Sequence, residues 1–112
     1  MKIAVIGAGG VGGYFGARLA AAGEDVSFVQ RGDHFRSMQK NGLRVESTHG
    51  DISLNTVKVT ENPAEIGPSD IVLIAVKSGQ TEEAAELCKP LLGPETGVIT
   101  LQNGVENESQ LV

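Results

Sequence analysis

The chain has 112 residues, of which 40% are hydrophobic and 21% charged, and its formal net charge is −5. These values are typical of one globular domain with a single core, and the acidic balance excludes a general affinity for nucleic acid, which requires a basic surface. The single cysteine excludes an intrachain disulfide, and every long apolar stretch is interrupted by a charge or a glycine cluster. We therefore expect a cytoplasmic protein that has neither a membrane nor a nucleic acid as its partner.

A glycine-rich turn follows the first predicted strand. Residues 2–6 form a short apolar run, and they lead into Gly7-Ala8-Gly9-Gly10-Val11-Gly12, which has the pattern G-x-G-x-x-G. A helix rich in small residues is predicted from about residue 10 to residue 22. Between a strand and a helix, this pattern is typical of the turn that holds the pyrophosphate of a dinucleotide. Gly7 permits the tight turn, and Gly9 leaves room for the phosphates to approach the backbone.

A cation stands at the tip of the second predicted strand, which covers residues 25–30. Folds that select NAD place an Asp or Glu here to bind the ribose 2′-hydroxyl, whereas this chain has Arg31. A guanidinium can pair with a 2′-phosphate through charge-assisted hydrogen bonds, so the sequence favours NADP over NAD. The alternative interpretation is that Arg31 is a solvated surface residue without a role in binding. The next helix is predicted to run to about Lys40, with Asp33 as its N-cap.

The segment from residue 43 to residue 60 changes to the alternating pattern of strands. We predict an antiparallel hairpin here, inserted into an otherwise alternating α/β pattern, with a turn at residues 48–51 and a register break near Asn55 and Thr56. Asn62, followed by Pro63 and then by Glu65, predicts a helix start with an asparagine cap.

Two further strands lead into polar loops. Residues 70–76 are almost continuously apolar, as expected for a parallel strand covered on both faces, and Lys77 and Ser78 follow them. A helix is predicted over residues 81–92, then a strand over residues 97–102, after which comes Asn103. Ligands of open parallel sheets bind at the carboxyl ends of the strands, so Lys77 and Asn103 are candidate site residues. Spacing alone leaves a solvated or turn-forming role equally open.

These elements predict an α/β fold, a Rossmann-like doubly wound and mostly parallel sheet with helices on both faces and the inserted hairpin. We assign residues 1–112 to one dinucleotide-binding domain. A helix is predicted to start near Asn107, and a doubly wound fold is expected to continue with more helix and strand. We therefore expect the chain to be part of a longer protein. For the isolated domain, the sequence is compatible with a monomer and with a homo-oligomer.

Other conspicuous side chains have structural interpretations. Tyr14 and Phe15 are predicted to pack in the core, and Cys88 is predicted to be a small buried hydrophobe rather than a nucleophile. The acidic pair Glu82 and Glu83 is predicted to interact with the positive end of the helix that starts near residue 81. His34 and His49 lack partners at metal-ligand spacing, so no metal site is expected.

The motifs occur together in one order. The glycine turn, the pair Arg31-Gly32, the stretch Val76-Lys77-Ser78 followed by Gln80, and the stretch Leu101-Gln102-Asn103-Gly104 all resemble the amino-terminal domain of the ketopantoate reductase family (2-dehydropantoate 2-reductases). The resemblance covers the whole chain. It implies an NADPH-dependent reduction of a 2-keto acid at its ketone, in pantothenate synthesis.

The resemblance also implies roles for single residues. The glycine turn would bind the pyrophosphate, Arg31 the 2′-phosphate, Lys77 the nicotinamide-side ribose, and Asn103 would position the nicotinamide and the substrate, with Lys77 as a second catalytic candidate. The general-acid lysine of the family lies in a helical carboxyl-terminal domain that this chain lacks, so the 112-residue domain is expected to be inactive alone. Two alternatives stay open: a non-catalytic module that senses NAD(P), and a reductase of the same fold for another 2-oxo acid.

Overall fold

The computed structural model describes residues 1–7, 11–45, 50–75 and 81–100. Strands and helices alternate along most of the described chain. In order, the elements are β1 (Lys2–Ile6), α1 (Val11–Ala21), β2 (Asp25–Val29), α2 (Gly32–Asn41), β3 (Leu43–Val45), β4 (Ile52–Leu54), β5 (Lys58–Thr60), β6 (Ile71–Ile74), α3 (Thr81–Cys88) and β7 (Gly97–Thr100), with short 3₁₀ turns at Pro63–Glu65 and Lys89–Leu91.

The main sheet has the order β5-β2-β1-β6-β7 among the described residues, and all its pairings are parallel. The chain winds outward from β1 to β2 and β5, and then crosses back to β6 and β7 on the other side of β1. The order therefore reverses between β1 and β6, which makes their carboxyl ends the topological switch point where such folds bind ligands. The predicted doubly wound fold is confirmed.

Apolar side chains cover both faces of the sheet, as the near-continuous apolar runs of β1 and β6 require. On one face, Ala4, Ile6, Val72 and Ile74 pack with residues of α3 and the 3₁₀ turn that follows it. On the other face lies a second cluster, made of Ile3, Val5, Val26, Phe28, Met38 and Leu73. Helices α1 and α2 and the hairpin cover that second face, with Leu19, Ala20 and Leu43 packed against it.

The hairpin is shorter than predicted. β3 and β4 pair antiparallel and form their own two-stranded sheet, which confirms the insertion. The residues after the predicted register break do not continue the hairpin, because β5 pairs in parallel with β2 and forms an edge of the main sheet. Alternation of apolar residues shows that a strand is half-buried but does not specify its partner, and this part of the prediction is wrong.

The prediction for the start of α2 is also wrong. Arg31 occupies the N-cap position, while Asp33 lies inside the first turn and pairs with Arg36. The cap predicted at Asn62 is confirmed, since its side chain accepts a hydrogen bond from the backbone N–H of Ala64 at 3.1 Å. The Pro63–Glu65 segment that it caps is a single 3₁₀ turn.

One side chain of α1, that of Phe15, differs from its prediction. Phe15 is 44% exposed and lies edge-on to the ring of Tyr14, rather than packing in the core. Ala17 is fully buried, and Gly16 lies against Phe28. Small residues form this contact because α1 approaches the sheet too closely for an aromatic ring to fit between them. The helix predicted to start near Asn107 falls outside the described residues.

Candidate nucleotide-binding site

Three neighbouring strands end together at one edge of the sheet. Gly7, directly after β1, donates its backbone N–H to the carbonyl of Val29 at 3.3 Å, and Ala75, directly after β6, donates to the carbonyl of Ile6 at 2.9 Å. These hydrogen bonds continue the parallel pairing of β1 with β2 and of β6 with β1 to the carboxyl ends of the strands. The segments that leave β2, β1 and β6 therefore start side by side at the switch point.

The described part of the glycine turn has the geometry that the motif requires. Gly7 has φ +82°, a left-handed backbone conformation that disfavours any residue with a β-carbon. The chain therefore turns sharply off β1, and α1 begins at Val11. Ala8, Gly9 and Gly10 lie outside the described residues. A left-handed glycine directly after a strand, with a helix that begins four residues later, fits the pyrophosphate of a dinucleotide, because a helix N-terminus presents free N–H groups and a positive dipole end.

Arg31 lies at the same edge, two residues beyond the end of β2. Its backbone is extended, with φ −130° and ψ 159°, and its side chain is 57% exposed. The backbone N–H of the next residue, Gly32, donates to Oε2 of Glu61 at 3.0 Å. Glu61 follows β5, so the neighbouring strand supplies the carboxylate that satisfies the first N–H of α2.

The guanidinium of Arg31 pairs with the carboxylate of Glu83, whose side chain is 51% exposed. Glu83 lies in the first turn of α3, the helix that follows β6. The ion pair thus joins two segments that leave strands on opposite sides of β1. It lies at the sheet edge where the glycine turn begins.

Core packing explains why these two side chains meet. Val29, the last residue of β2, and Ala84, the neighbour of Glu83, belong to one buried cluster and are 2% and 1% exposed. The end of β2 and the first turn of α3 therefore contribute to the same core on this face of the sheet, where α3 also packs on β1. Glu83 and Arg31 lie within two residues of these buried positions.

Comparison with known proteins places the chain in a family. A family model described as ketopantoate reductase PanE/ApbA matches residues 3–112. The chain belongs to this family. A 2-dehydropantoate 2-reductase of Mesorhizobium japonicum is 43% identical over 106 residues, which cover 94% of this chain and 32% of that protein. One of Nostoc sp. is 36% identical over 110 residues, covering 98% of this chain and 34% of the relative.

Solved structures give the same result. A 2-dehydropantoate 2-reductase of Geobacter metallireducens superposes with a TM-score of 0.85 at 44% identity, over 99% of this chain and 36% of that one. The family resemblance inferred from the motifs is therefore confirmed, together with the fold. The chain spans about a third of the length of the curated relatives it matches.

Several of the predicted site residues lie outside the described residues, namely Lys77, Ser78 and Asn103, together with Ala8, Gly9 and Gly10 of the glycine turn. The strands that precede them are described. β6 and β7 are parallel neighbours, with Ile74 opposite Thr100 near their carboxyl ends. The structure brings Gly7 and Arg31 to the same edge, and the predicted residues Val11 and Gly12 form the start of α1. The specific roles assigned to all these residues stay predictions.

Two carboxylates at this edge were missed as site residues. The sequence pattern predicts only a helix-dipole interaction for Glu83 and no role for Glu61. The sequence does indicate Glu83 as a site residue. An acidic residue in the first turn of the helix that follows a central strand lies near the carboxyl end of that strand, where ligands bind. Glu61 gives a weaker signal, since it follows Lys58–Thr60, a strand that the sequence pattern places in the hairpin.

The remaining candidates have structural roles in the described chain. Cys88 is 5% exposed within the cluster beneath α3, which confirms it as a buried hydrophobe, and burial raises the pKa of its thiol. Among the described residues, no group of three or more His, Cys, Asp or Glu side chains is arranged to hold a metal ion. Within those same ranges, no helix is long and apolar enough to cross a membrane.

Proposed function

We propose that this chain is the NADPH-binding domain of a 2-keto-acid reductase of the ketopantoate reductase type. The whole protein would reduce ketopantoate to pantoate, a step of pantothenate synthesis. The observation that carries the proposal is the position of Arg31 beside the Gly7 turn, at the strand end where NAD-selective folds have a carboxylate. The family match over residues 3–112 supports it.

The residues at the switch point fit a phosphorylated dinucleotide. The turn at Gly7 and the N-terminus of α1 would hold the pyrophosphate, and Arg31 would pair with the 2′-phosphate. We assign Lys77 to the nicotinamide-side ribose and Asn103 to positioning of the nicotinamide and substrate, on the strength of the family resemblance. When bound, the cofactor supplies a hydride to the keto carbon, and the chain contributes orientation and electrostatics.

The domain is expected to need a second one for turnover. Curated relatives are about three times as long as this chain, which supports a further domain in the whole protein. The family resemblance implies that this domain is helical, lies at the carboxyl-terminal side and carries the general-acid lysine and the substrate contacts. That domain and a small 2-keto acid are the proposed partners. We therefore expect the 112-residue chain to bind NADPH but to reduce ketopantoate very slowly.

Calorimetric titration of the chain with NADPH and NADH tests the cofactor assignment. Arg31→Ala should weaken NADPH binding at least about tenfold, because a charge-assisted hydrogen bond contributes roughly 1.5–3 kcal/mol, and it should leave NADH binding nearly unchanged. Arg36→Ala is the matched control, since it removes an exposed arginine of α2 that pairs with Asp33 instead. Equal losses for both cofactors would contradict the 2′-phosphate assignment.

A second measurement tests the domain assignment. NADPH oxidation in the presence of ketopantoate should be close to background for the 112-residue chain. Rapid turnover would show that no further domain is required. Absence of NADPH binding at any accessible concentration would overturn the proposed function as a whole.

A further inference from the structure

We infer that Glu83 lowers the preference of the site for NADPH over NADH by competing with the 2′-phosphate for Arg31. The inference rests on the proposed function, because it takes Arg31 as the group that meets the phosphate. Glu83 is not placed among the groups that hold the pyrophosphate or the nicotinamide. Its role is to form an ion pair with the Arg31 guanidinium when no 2′-phosphate is bound there.

The ion pair is built into the fold rather than formed by two free surface chains. Arg31 is fixed at the N-cap of α2, and the adjacent Gly32 N–H is held by Glu61 at 3.0 Å. Glu83 is fixed by its neighbour Ala84, which is 1% exposed and shares a buried cluster with Val29. The backbones on both sides are thus anchored, and the two side chains face each other at the carboxyl edge of the sheet.

The charges define the direction of the effect. A carboxylate carries one negative charge, whereas a phosphate monoester carries about 1.5 to 2 at neutral pH and presents three acceptor oxygens. Because both side chains are about half exposed, their pairing is weak, and a bound 2′-phosphate can displace the carboxylate. The displacement costs the energy of the Arg31–Glu83 pair, so the pair lowers the affinity for NADPH by a small factor.

The Glu83 carboxylate is not expected to lower the affinity for NADH. NADH has a 2′-hydroxyl in place of the phosphate, and a carboxylate beside that hydroxyl is the arrangement that NAD-selective folds use. Glu83 therefore does not oppose NADH. Removing its charge should raise the ratio of NADPH affinity to NADH affinity.

Calorimetry with 2′,5′-ADP and 5′-AMP isolates the contribution of the 2′-phosphate. In Glu83→Gln, affinity for 2′,5′-ADP and for NADPH should rise about two- to fivefold at low ionic strength, with no rise for 5′-AMP or NADH. The gain should shrink at high salt, because screening already weakens the exposed pair. An unchanged affinity for 2′,5′-ADP would overturn the inference.

Glu86→Gln is the matched control. It removes one carboxylate from the same helix and changes the net charge equally, but Glu86 pairs with Lys89 at 3.1 Å, in the last turn of α3. Glu86→Gln should leave the affinities for all four ligands unchanged. If Glu86→Gln raised 2′,5′-ADP affinity as much as Glu83→Gln, the effect would be one of net charge and the inference would fail.

A double-mutant cycle distinguishes this inference from the proposed function. In the Arg31→Ala background, Glu83→Gln should have no effect on 2′,5′-ADP, since the competed group is gone. If Arg31→Ala weakens 2′,5′-ADP while Glu83→Gln changes nothing, the competition is wrong and the cofactor assignment stands. If Arg31→Ala does not weaken 2′,5′-ADP, the cofactor assignment fails as well.

A spectroscopic readout requires no ligand. The Nε–Hε resonance of Arg31 in the free chain should shift in Glu83→Gln and not in Glu86→Gln. Thermal melts show whether each variant folds. If Glu83→Gln does not fold, Glu83→Ala replaces it as the variant that removes the carboxylate. A resonance of Arg31 that is identical in wild type and Glu83→Gln would show that no pair forms in solution, and would overturn the inference.

Discussion

A β-carbon added to Gly16 would lie 2.5 Å from Cε1 of Phe28, so the α1 backbone packs directly on that ring. Phe28 is 1% exposed, and Val5, which would lie 3.3 Å from the same β-carbon, is fully buried. Neither side chain has room to move away. This contact sets the distance between α1 and the sheet, and thereby the position of the α1 N-terminus relative to the end of β1.

Gly16→Ala should therefore destabilise the domain. Overpacking costs about 1–3 kcal/mol, whereas helix propensity alone would predict a gain of about 1 kcal/mol, so the sign of the change identifies the dominant effect. Urea unfolding measures it. Gly97→Ala is the control, because its nearest neighbour would be 4.0 Å away. Phe28→Leu in the Gly16→Ala background should recover part of the loss, and a more stable Gly16→Ala variant would contradict the packing argument.

Among the glycines for which the structure describes the surroundings, Gly42 should be the most sensitive to substitution. It has φ +77° and ψ −152°, and an added β-carbon would lie 1.9 Å from the carbonyl oxygen of Leu54. Gly42→Ala combines backbone strain with a clash, and we expect a loss of about 2–4 kcal/mol in the free energy of unfolding. Gly23→Ala is the matched control, since Gly23 has φ +97° but open space around it, so that strain alone remains, about 1–2 kcal/mol. Equal losses in the two variants would show that the clash relaxes.

The sequence predicted the elements whose signals are local. The apolar run before Gly7 and the run before Ala75 identified the two central strands, because a strand covered on both faces needs continuous apolar residues. The glycine pattern placed the turn between β1 and α1. The topological switch followed from these strands and the known winding of parallel sheets.

Contacts between distant segments could not be predicted in the same way. Pairing of β5 with β2 depends on which sheet edge is free, and three residues do not encode that choice. The Arg31–Glu83 pair depends on Val29 and Ala84 sharing one buried cluster, and neither residue's own sequence neighbourhood indicates the other. The start of α2 was misplaced because the carboxylate that meets Gly32 comes from Glu61, on the neighbouring strand segment.

The ion pair between Asp25 and Lys58 should make stability depend on pH in the acid range. The Lys58 ammonium donates to Oδ1 of Asp25 at 2.6 Å, and this hydrogen bond lowers the pKa of the carboxyl against the opposing effect of desolvation. The charges of Lys58, Lys2 and the N-terminal ammonium lower the pKa further. Because the pKa is lower in the folded state, the stabilisation is present above the unfolded-state pKa and is lost as pH falls through the folded value. The difference in Tm between wild type and Asp25→Asn should be largest near neutral pH and vanish in strong acid.

NMR titration of the Asp25 carboxyl carbon checks the cause of that shift. Lys58→Gln should raise the pKa of Asp25 toward its ordinary value, because both the hydrogen bond and the favourable charge are removed. Lys89→Gln is the control, since Lys89 pairs with Glu86 on α3 and lies in a different ion pair. An unchanged pKa of Asp25 in Lys58→Gln would assign the shift to Lys2 and the N-terminus instead.

Cys88 should react with thiol reagents only when the domain unfolds. Its side chain is 5% exposed and packs with Ala84 and Leu91, and burial raises the pKa of the thiol, so the reactive thiolate is scarce and shielded. The rate of labelling by an aromatic disulfide reagent should rise with denaturant in parallel with the unfolded fraction. Ser53→Cys in a Cys88→Ala background provides the exposed reference, because Ser53 is exposed on β4. Labelling of native Cys88 as fast as that reference would show that the cluster beneath α3 opens without global unfolding.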